Sequence, residues 1–217
     1  MNQIKQRLKK INSQIRHAEY AAGRAKNTVQ LLAVSKTKPA ADVAIAYQAG
    51  QRLFGESYLQ EALLKQQALA AFDISWHFIG PIQSNKTRSI AEHFAWVQTV
   101  DRLKIVQRLN DQRPSHFEAL NICIQVNINN EESKSGIALE DVHALAKGID
   151  SQPNLVLRGL MCIPKANQSA VELVDSFKLM DNKFTQLKQL YQTVDTLSMG
   201  MSADIEAAVE GGSTMVR

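Results

Sequence analysis

A lysine that directly follows an apolar run is the first residue to weigh for chemistry. Lys36 stands immediately after Leu31-Leu32-Ala33-Val34-Ser35. A stem partly buried at a strand end disfavours the ammonium form and makes the amine a nucleophile toward an aldehyde. The plainer alternative is a lysine whose stem packs while its head reaches water. A second candidate is Ser198-Met199-Gly200-Met201-Ser202, which runs into a helix expected to begin near Ala203 and Asp204. Small residues there leave backbone N–H groups for an anion at the positive end of the helix dipole. Simple capping by Ser202 accounts for the same residues. His77 alternates with Trp76 and Phe78, either as a satisfied core histidine or as a ring beside a ligand. The other histidines show no metal-ligand spacing and the two cysteines no zinc pattern. No nucleophile elbow, phosphate-binding P-loop or metalloprotease helix is present.

These groups need elements to hold them. Short apolar runs predict strands at Val29–Ser35, Arg52–Gly55, Ser75–Ile79, Trp96–Thr99, Ile122–Asn127, Val156–Met161, Thr196–Met199 and Thr214–Arg217. Helical patterns lie between them, including Ala41–Ala49, Leu103–Asn110, Leu139–Gly148 and Ala170–Tyr191. Strands separated by helix-length segments imply βαβ units and a parallel sheet. Eight of them in one α/β domain, residues 1–217, point to a single (β/α)8 TIM-type barrel. The first strand is not followed by a glycine-rich dinucleotide fingerprint, which counts against an open doubly wound sheet. Ile4, Leu8, Ile11 and Ile15 mark an extra amphipathic helix at the N-terminus. In such a barrel functional groups gather at the C-terminal strand ends, where Lys36, Ser57, Ser202 and Arg217 fall.

Composition narrows the function classes. The chain has 217 residues, 45% hydrophobic and 21% charged, enough for one sizeable core. The net charge of +4 comes from scattered lysines and arginines, which suits a small anion better than a nucleic-acid track. Cys123 and Cys162 sit inside apolar runs, as buried thiols in a reducing compartment do. Met1–Lys10 is polar and basic, and no apolar stretch is long enough to span a bilayer. The expectation is a cytoplasmic protein that binds neither nucleic acid nor membrane.

Several motifs taken together carry a resemblance. They are Ala33-Val34-Ser35-Lys36-Thr37-Lys38-Pro39, Phe54-Gly55-Glu56-Ser57-Tyr58-Leu59-Gln60-Glu61 and Trp76-His77-Phe78-Ile79-Gly80-Pro81-Ile82-Gln83-Ser84-Asn85-Lys86. Glu132-Ser133-Lys134-Ser135-Gly136, Leu157-Arg158-Gly159-Leu160-Met161-Cys162-Ile163-Pro164 and Leu197-Ser198-Met199-Gly200-Met201-Ser202-Ala203-Asp204 follow in order. The whole chain thus resembles the pyridoxal-phosphate homeostasis proteins (YggS/PROSC type), whose barrel is like the N-terminal domain of alanine racemases, fold-type III. The resemblance implies pyridoxal 5′-phosphate (PLP) held on Lys36 as a Schiff base. It further implies that Ser198, Gly200, Met201 and Ser202 hold the phosphate, that Arg217 stands beside the pyridine nitrogen, and that His77 lies near the ring. A cationic neighbour there discourages protonation of that nitrogen and weakens the ring as an electron sink.

Two departures stand out. Ser57 replaces the asparagine usual in the family, and an Ile-Gly-Thr segment expected after the arginine to complete the phosphate site is not in this sequence. Alanine racemases take a second base from an additional β-domain and a partner subunit. The expectation for this chain is therefore a monomeric carrier or regulator of intracellular PLP, with effects on amino-acid and keto-acid pools. PLP-dependent apo-enzymes are its expected recipients. The competing expectation is a low-activity PLP-dependent amino-acid racemase.

Overall fold

The computed structural model describes residues 2–131, 134–165 and 168–217; Glu132 and Ser133 of the fourth motif lie outside them. Nine short parallel strands form a nearly closed barrel in the order β1-β9-β8-β7-β6-β5-β4-β3-β2. The strands are β1 (Gln30–Leu31), β2 (Ala33–Val34), β3 (Leu53–Glu56), β4 (Ser75–Phe78), β5 (Trp96–Val100), β6 (Leu120–Val126), β7 (Leu155–Cys162), β8 (Thr196–Ser198) and β9 (Met215–Val216). All eight expected strands are present. The first is split at Leu32, whose N–H donates to Val216 O at 2.8 Å. That split lets β1 pair with β9 while β2 pairs with β3, so one stretch of chain joins the two ends of the sheet.

Helices alternate with the strands: α2 (Ala40–Gln48), α3 (Leu59–Ala68), α4 (Thr87–His93), α5 (Leu103–Gln112), α6 (Val142–Asp150), α7 (Ala170–Leu190) and α8 (Ile205–Glu210). The long α7 opens with a capping box in which Ser169 and Glu172 satisfy each other's backbone N–H groups. Leu32, Ile122, Ile124, Leu160 and Leu197 are fully buried. Both cysteines are buried free thiols, and burial pushes Cys162 up to about 12 and raises Cys123 as well. Neither is therefore a nucleophile at neutral pH.

The expected N-terminal helix is α1 (Asn2–Ala21), and its apolar stripe has two uses. Ile15 and Ala18 pack with Val29, Ile205, Val209 and Val216, fixing the helix against α8 and the last strand. Ile4, Leu8 and Ile11, one turn apart further forward, wall a cavity at the barrel mouth. The link from α1 to β1 is pinned by buried Glu19, which accepts from Asn27 N at 3.1 Å and Val29 N at 2.7 Å.

One local expectation changes. The last helix begins at Ile205 rather than at Ala203 or Asp204, and Ser202 does not cap it. Asp204 occupies the N-cap position, and its carboxylate reaches back to accept from Met201 N–H.

Candidate functional site

The cavity at the C-terminal mouth of the barrel has a volume of about 590 Å³, within the range of small-molecule sites. Lys36, Ser57, Met201, Ser202 and Arg217 line it, so the fold unites residues from 36 to 217. Apolar walls come from Ile79, Met161, Ile163 and the α1 residues Ile4, Leu8 and Ile11. Three cations, Arg7, Lys36 and Arg217, face the space, and the described lining residues include no carboxylate. A planar apolar ring bearing an anionic group matches that donor set.

Lys36 departs from expectation in one respect. Its side chain is exposed rather than partly buried, because the turn after β2 lifts it clear of the barrel. What the structure fixes is its root. Lys65 on α3 is buried, and its ammonium donates to Ser35 O at 2.6 Å, Glu56 Oε1 at 2.7 Å and Glu61 Oε1 at 2.5 Å. Ser35 Oγ donates to the same Glu56 oxygen at 2.6 Å, and Thr37 N–H donates to Glu61 at 2.6 Å. The residues before and after Lys36 are thus both tied to one ionic cluster. Thr37 is held at φ 62°, a left-handed conformation that a β-branched residue adopts only when its surroundings impose it. The hydrogen bond from Lys65 holds the Glu61 carboxyl below the usual carboxylate range, with Thr37 N–H adding to the effect.

Arg217 is fixed differently, by its head. Its Nη1 donates to Ser198 O at 2.8 Å and Ser198 Oγ at 2.9 Å, and its Nη2 to Cys162 O at 2.8 Å. All of these acceptors are neutral. Burial pushes the guanidinium down from its ordinary value, yet an arginine stays charged. A part-buried cation held only by neutral oxygens is suited to meet an acceptor or an anion from the cavity.

Three expected site residues do not reach the cavity lining. Ser198 is fully buried and committed to Arg217 and to Gln98, so it anchors the arginine instead of standing free for a phosphate. Gly200 lies just beneath; its carbonyl accepts from Arg217 N–H at 3.0 Å. Its φ of 95° and the 2.4 Å that a Cβ would leave to Ala208 Cβ require glycine. His77 is completely buried one layer further down, stacked on Trp96 at 4.9 Å and bonded to Gln98 at 2.9 Å. Burial, with Arg158 adding to it, pushes its pKa down to about 3, so it is a neutral core histidine. Ile79, two residues further on and just past β4, does line the cavity, and two residues along an extended chain are about 6–7 Å. The expected phosphate cradle is also leaner than its sequence suggests. Met201 N–H is taken by Asp204, whereas the Gly200 and Ser202 N–H groups meet no acceptor among the described residues.

Known proteins share this chain's sequence and fold. The profile of the alanine racemase N-terminal domain family matches residues 7–217. A pyridoxal phosphate homeostasis protein of Pseudomonas aeruginosa is 55% identical over 217 residues, covering 100% of this chain and 93% of that protein. The chain belongs to the pyridoxal phosphate homeostasis protein family. PipY of Synechococcus elongatus, a structure with PLP bound, superposes with a TM-score of 0.80 at 34% identity, over 94% of this chain and 96% of that one. Alanine racemase of Clostridium difficile matches with a TM-score of 0.72 at 13% identity, over 89% of this chain and 54% of that one, which shows a shared barrel. In the present chain Lys36, Ser57, Met201, Ser202 and Arg217 line a single cavity.

Sequence reasoning overlooked Lys65, Glu56 and Glu61 as a unit, and also Gln98. The available signals were slight: a Glu61–Lys65 pair at i,i+4 spacing, and one glutamine inside the apolar strand Trp96–Val100.

Proposed function

We propose that this protein binds PLP at the barrel mouth, attached through the ε-amino group of Lys36 as a Schiff base, and acts as an intracellular carrier or regulator of the cofactor. The observation that carries the proposal is one cavity with an exposed amine on a fixed root at one wall and a part-buried, anion-free guanidinium at another. Lys36 supplies the amine, Arg217 faces the ring nitrogen, and Ser202 with the Gly200 and Ser202 N–H groups meets the phosphate. The bound cofactor itself supplies an aldehyde carbon and an electron-withdrawing ring. Arg217 keeps the ring nitrogen unprotonated and so restrains its pull on electrons. Ser57 offers a hydroxyl at the rim. The names of the relatives and the PLP-bound neighbour support the same cofactor.

The carrier assignment over a racemase is favoured by the lining. The polar side chains facing the cavity among the described residues are Arg7, Lys36, Ser57, Ser202 and Arg217, and none of them is a base suited to take a proton on the face opposite Lys36. Among the described residues no helix is long and apolar enough to cross a membrane. The protein is proposed to work in the cytoplasm as a monomer of one domain, handing PLP to PLP-dependent apo-enzymes.

Two measurements test this. Titrating PLP into the apo protein should produce a visible absorption band at one equivalent, and an added apo-enzyme should gain activity as that band declines. Incubating the loaded protein with single-enantiomer amino acids in deuterated water should leave the α-proton in place. Rapid α-deuteration with loss of optical purity would reject the carrier in favour of the racemase.

A further inference from the structure

A line of buried polar side chains runs down the barrel interior from Arg217. Ser198 Oγ donates to Gln98 Oε1 at 2.7 Å, Gln98 Nε2 meets His77 Nδ1 at 2.9 Å, and His77 Nε2 faces Ser75 Oγ at 3.4 Å. Ser198, Gln98 and His77 are each 0% exposed. Barrel interiors are ordinarily filled by branched apolar side chains, and a buried polar chain is tolerated only when its members satisfy one another.

The direction of every bond in this line follows from its first member. Arginine only donates, so Ser198 Oγ must accept from Arg217 and pass its own proton onward to an oxygen. Gln98 therefore turns its carbonyl to Ser198 and its amide N–H to His77. That leaves His77 Nδ1 as the acceptor, with the ring proton on Nε2 toward Ser75. A histidine protonated on both nitrogens would oppose the Gln98 amide donor with a second donor, and burial keeps His77 neutral. Stacking on Trp96, whose other surroundings include Arg158 at 4.6 Å from its ring centroid, fixes the imidazole plane.

We propose that Gln98 and His77 are positioning residues that act through Ser198 to hold the Arg217 guanidinium in the single orientation that presents it to the cavity. The proposal rests on the cofactor assignment only for what Arg217 meets there; the relay itself is a property of the apo protein. Neither residue touches the ligand.

The test uses Gln98→Met, which keeps the length of the side chain and removes its hydrogen bonds to Ser198 and His77, along with the one its amide donates to Met215 Sδ. In the apo protein, side-chain N–H exchange of Arg217 followed by NMR should be slow in the wild type and at least several-fold faster in Gln98→Met. In the PLP-loaded protein the ratio of the two absorption forms of the bound cofactor at fixed pH should shift, as the ring nitrogen loses a fixed cationic neighbour. If Gln98→Met fails to fold, His77→Phe preserves the stack on Trp96, removes the Nδ1 acceptor and is expected to show the same two changes. Unchanged Arg217 exchange in a folded variant would overturn the relay. Failure of the wild type to take up PLP would instead defeat the cofactor assignment, while leaving the exchange result to stand.

Discussion

Two of the cations that line the cavity, Lys36 and Arg217, are held by opposite means. Lys36 has an exposed head on a root clamped by charges: Lys65, Glu56 and Glu61 bracket its backbone on both sides. Arg217 has its head clamped by neutral groups, Ser198 and the Cys162 carbonyl, with Gln98 and His77 behind them. Under the proposed roles, the difference follows from what each must do. A nucleophilic amine has to swing to reach a carbonyl carbon and to release it again, so only its origin is fixed. A cation that tunes a ring nitrogen has to keep one orientation, so its terminal atoms are fixed. Charges serve at the root because a short loop needs strong anchors. Neutral groups serve behind Arg217 because a carboxylate there would cancel the charge the ligand is meant to feel.

Breaking the charged side has the largest expected effect. Lys65→Met removes the centre of the cluster and strands the fully buried Glu56. Losing one partner of a buried ion pair costs about 3–5 kcal/mol, so chemical denaturation should show a drop of that order. A loss under about 1 kcal/mol would mean that the cluster is dispensable.

The neutral side is probed by acid. Unfolded His77 takes up a proton near pH 6.5, whereas in the fold it stays neutral down to about 3. Its folded value is depressed, so the unfolded chain binds the extra proton between these limits. The stabilising contribution is complete above 6.5 and declines as the pH falls, by about 1.4 kcal/mol per pH unit. Urea unfolding at pH 7 and pH 5 should show this slope in the wild type, and the His77→Phe variant should lose less on acidification. Equal slopes would place His77 outside the buried relay.

The smallest change sharpens the contrast at the root of Lys36. Glu61→Gln keeps an acceptor for Thr37 N–H but removes the charge facing Lys65. Because Glu61 is depressed in the fold, its contribution is present above the unfolded carboxylate value and disappears as pH falls through the folded one. The variant should cost no more than about 1 kcal/mol at pH 7, the Glu61 carboxylate itself being partly exposed to water, and the gap to the wild type should close in acid. A gap that persists at low pH would assign the effect to packing.

The barrel and its active end were readable in the sequence because strands announce themselves by short apolar runs and barrels place chemistry at strand ends. Lys36, Ser57, Met201, Ser202 and Arg217 fall on those ends and do meet in one cavity. Depth was not readable. Alternation along β4 does not say that His77 points into the barrel, nor that Ile79, two residues further on, forms the cavity wall. Nor did Ser198 declare that its hydroxyl is used by Arg217 and Gln98, partners 19 and 100 residues away in the chain. The Lys65 cluster was hidden for the same reason: its acceptor at Ser35 lies 30 residues upstream and becomes a neighbour only when α3 packs behind β2 and β3.

The central claim is that Lys36, and no neighbouring amine, carries PLP. Borohydride reduction of the loaded protein followed by peptide mass mapping should place the phosphopyridoxyl adduct on Lys36, with none on Lys38 or Lys134, and Lys36→Ala should be colourless. An adduct on another lysine at full stoichiometry, or an equally coloured and covalently modified Lys36→Ala, would contradict it.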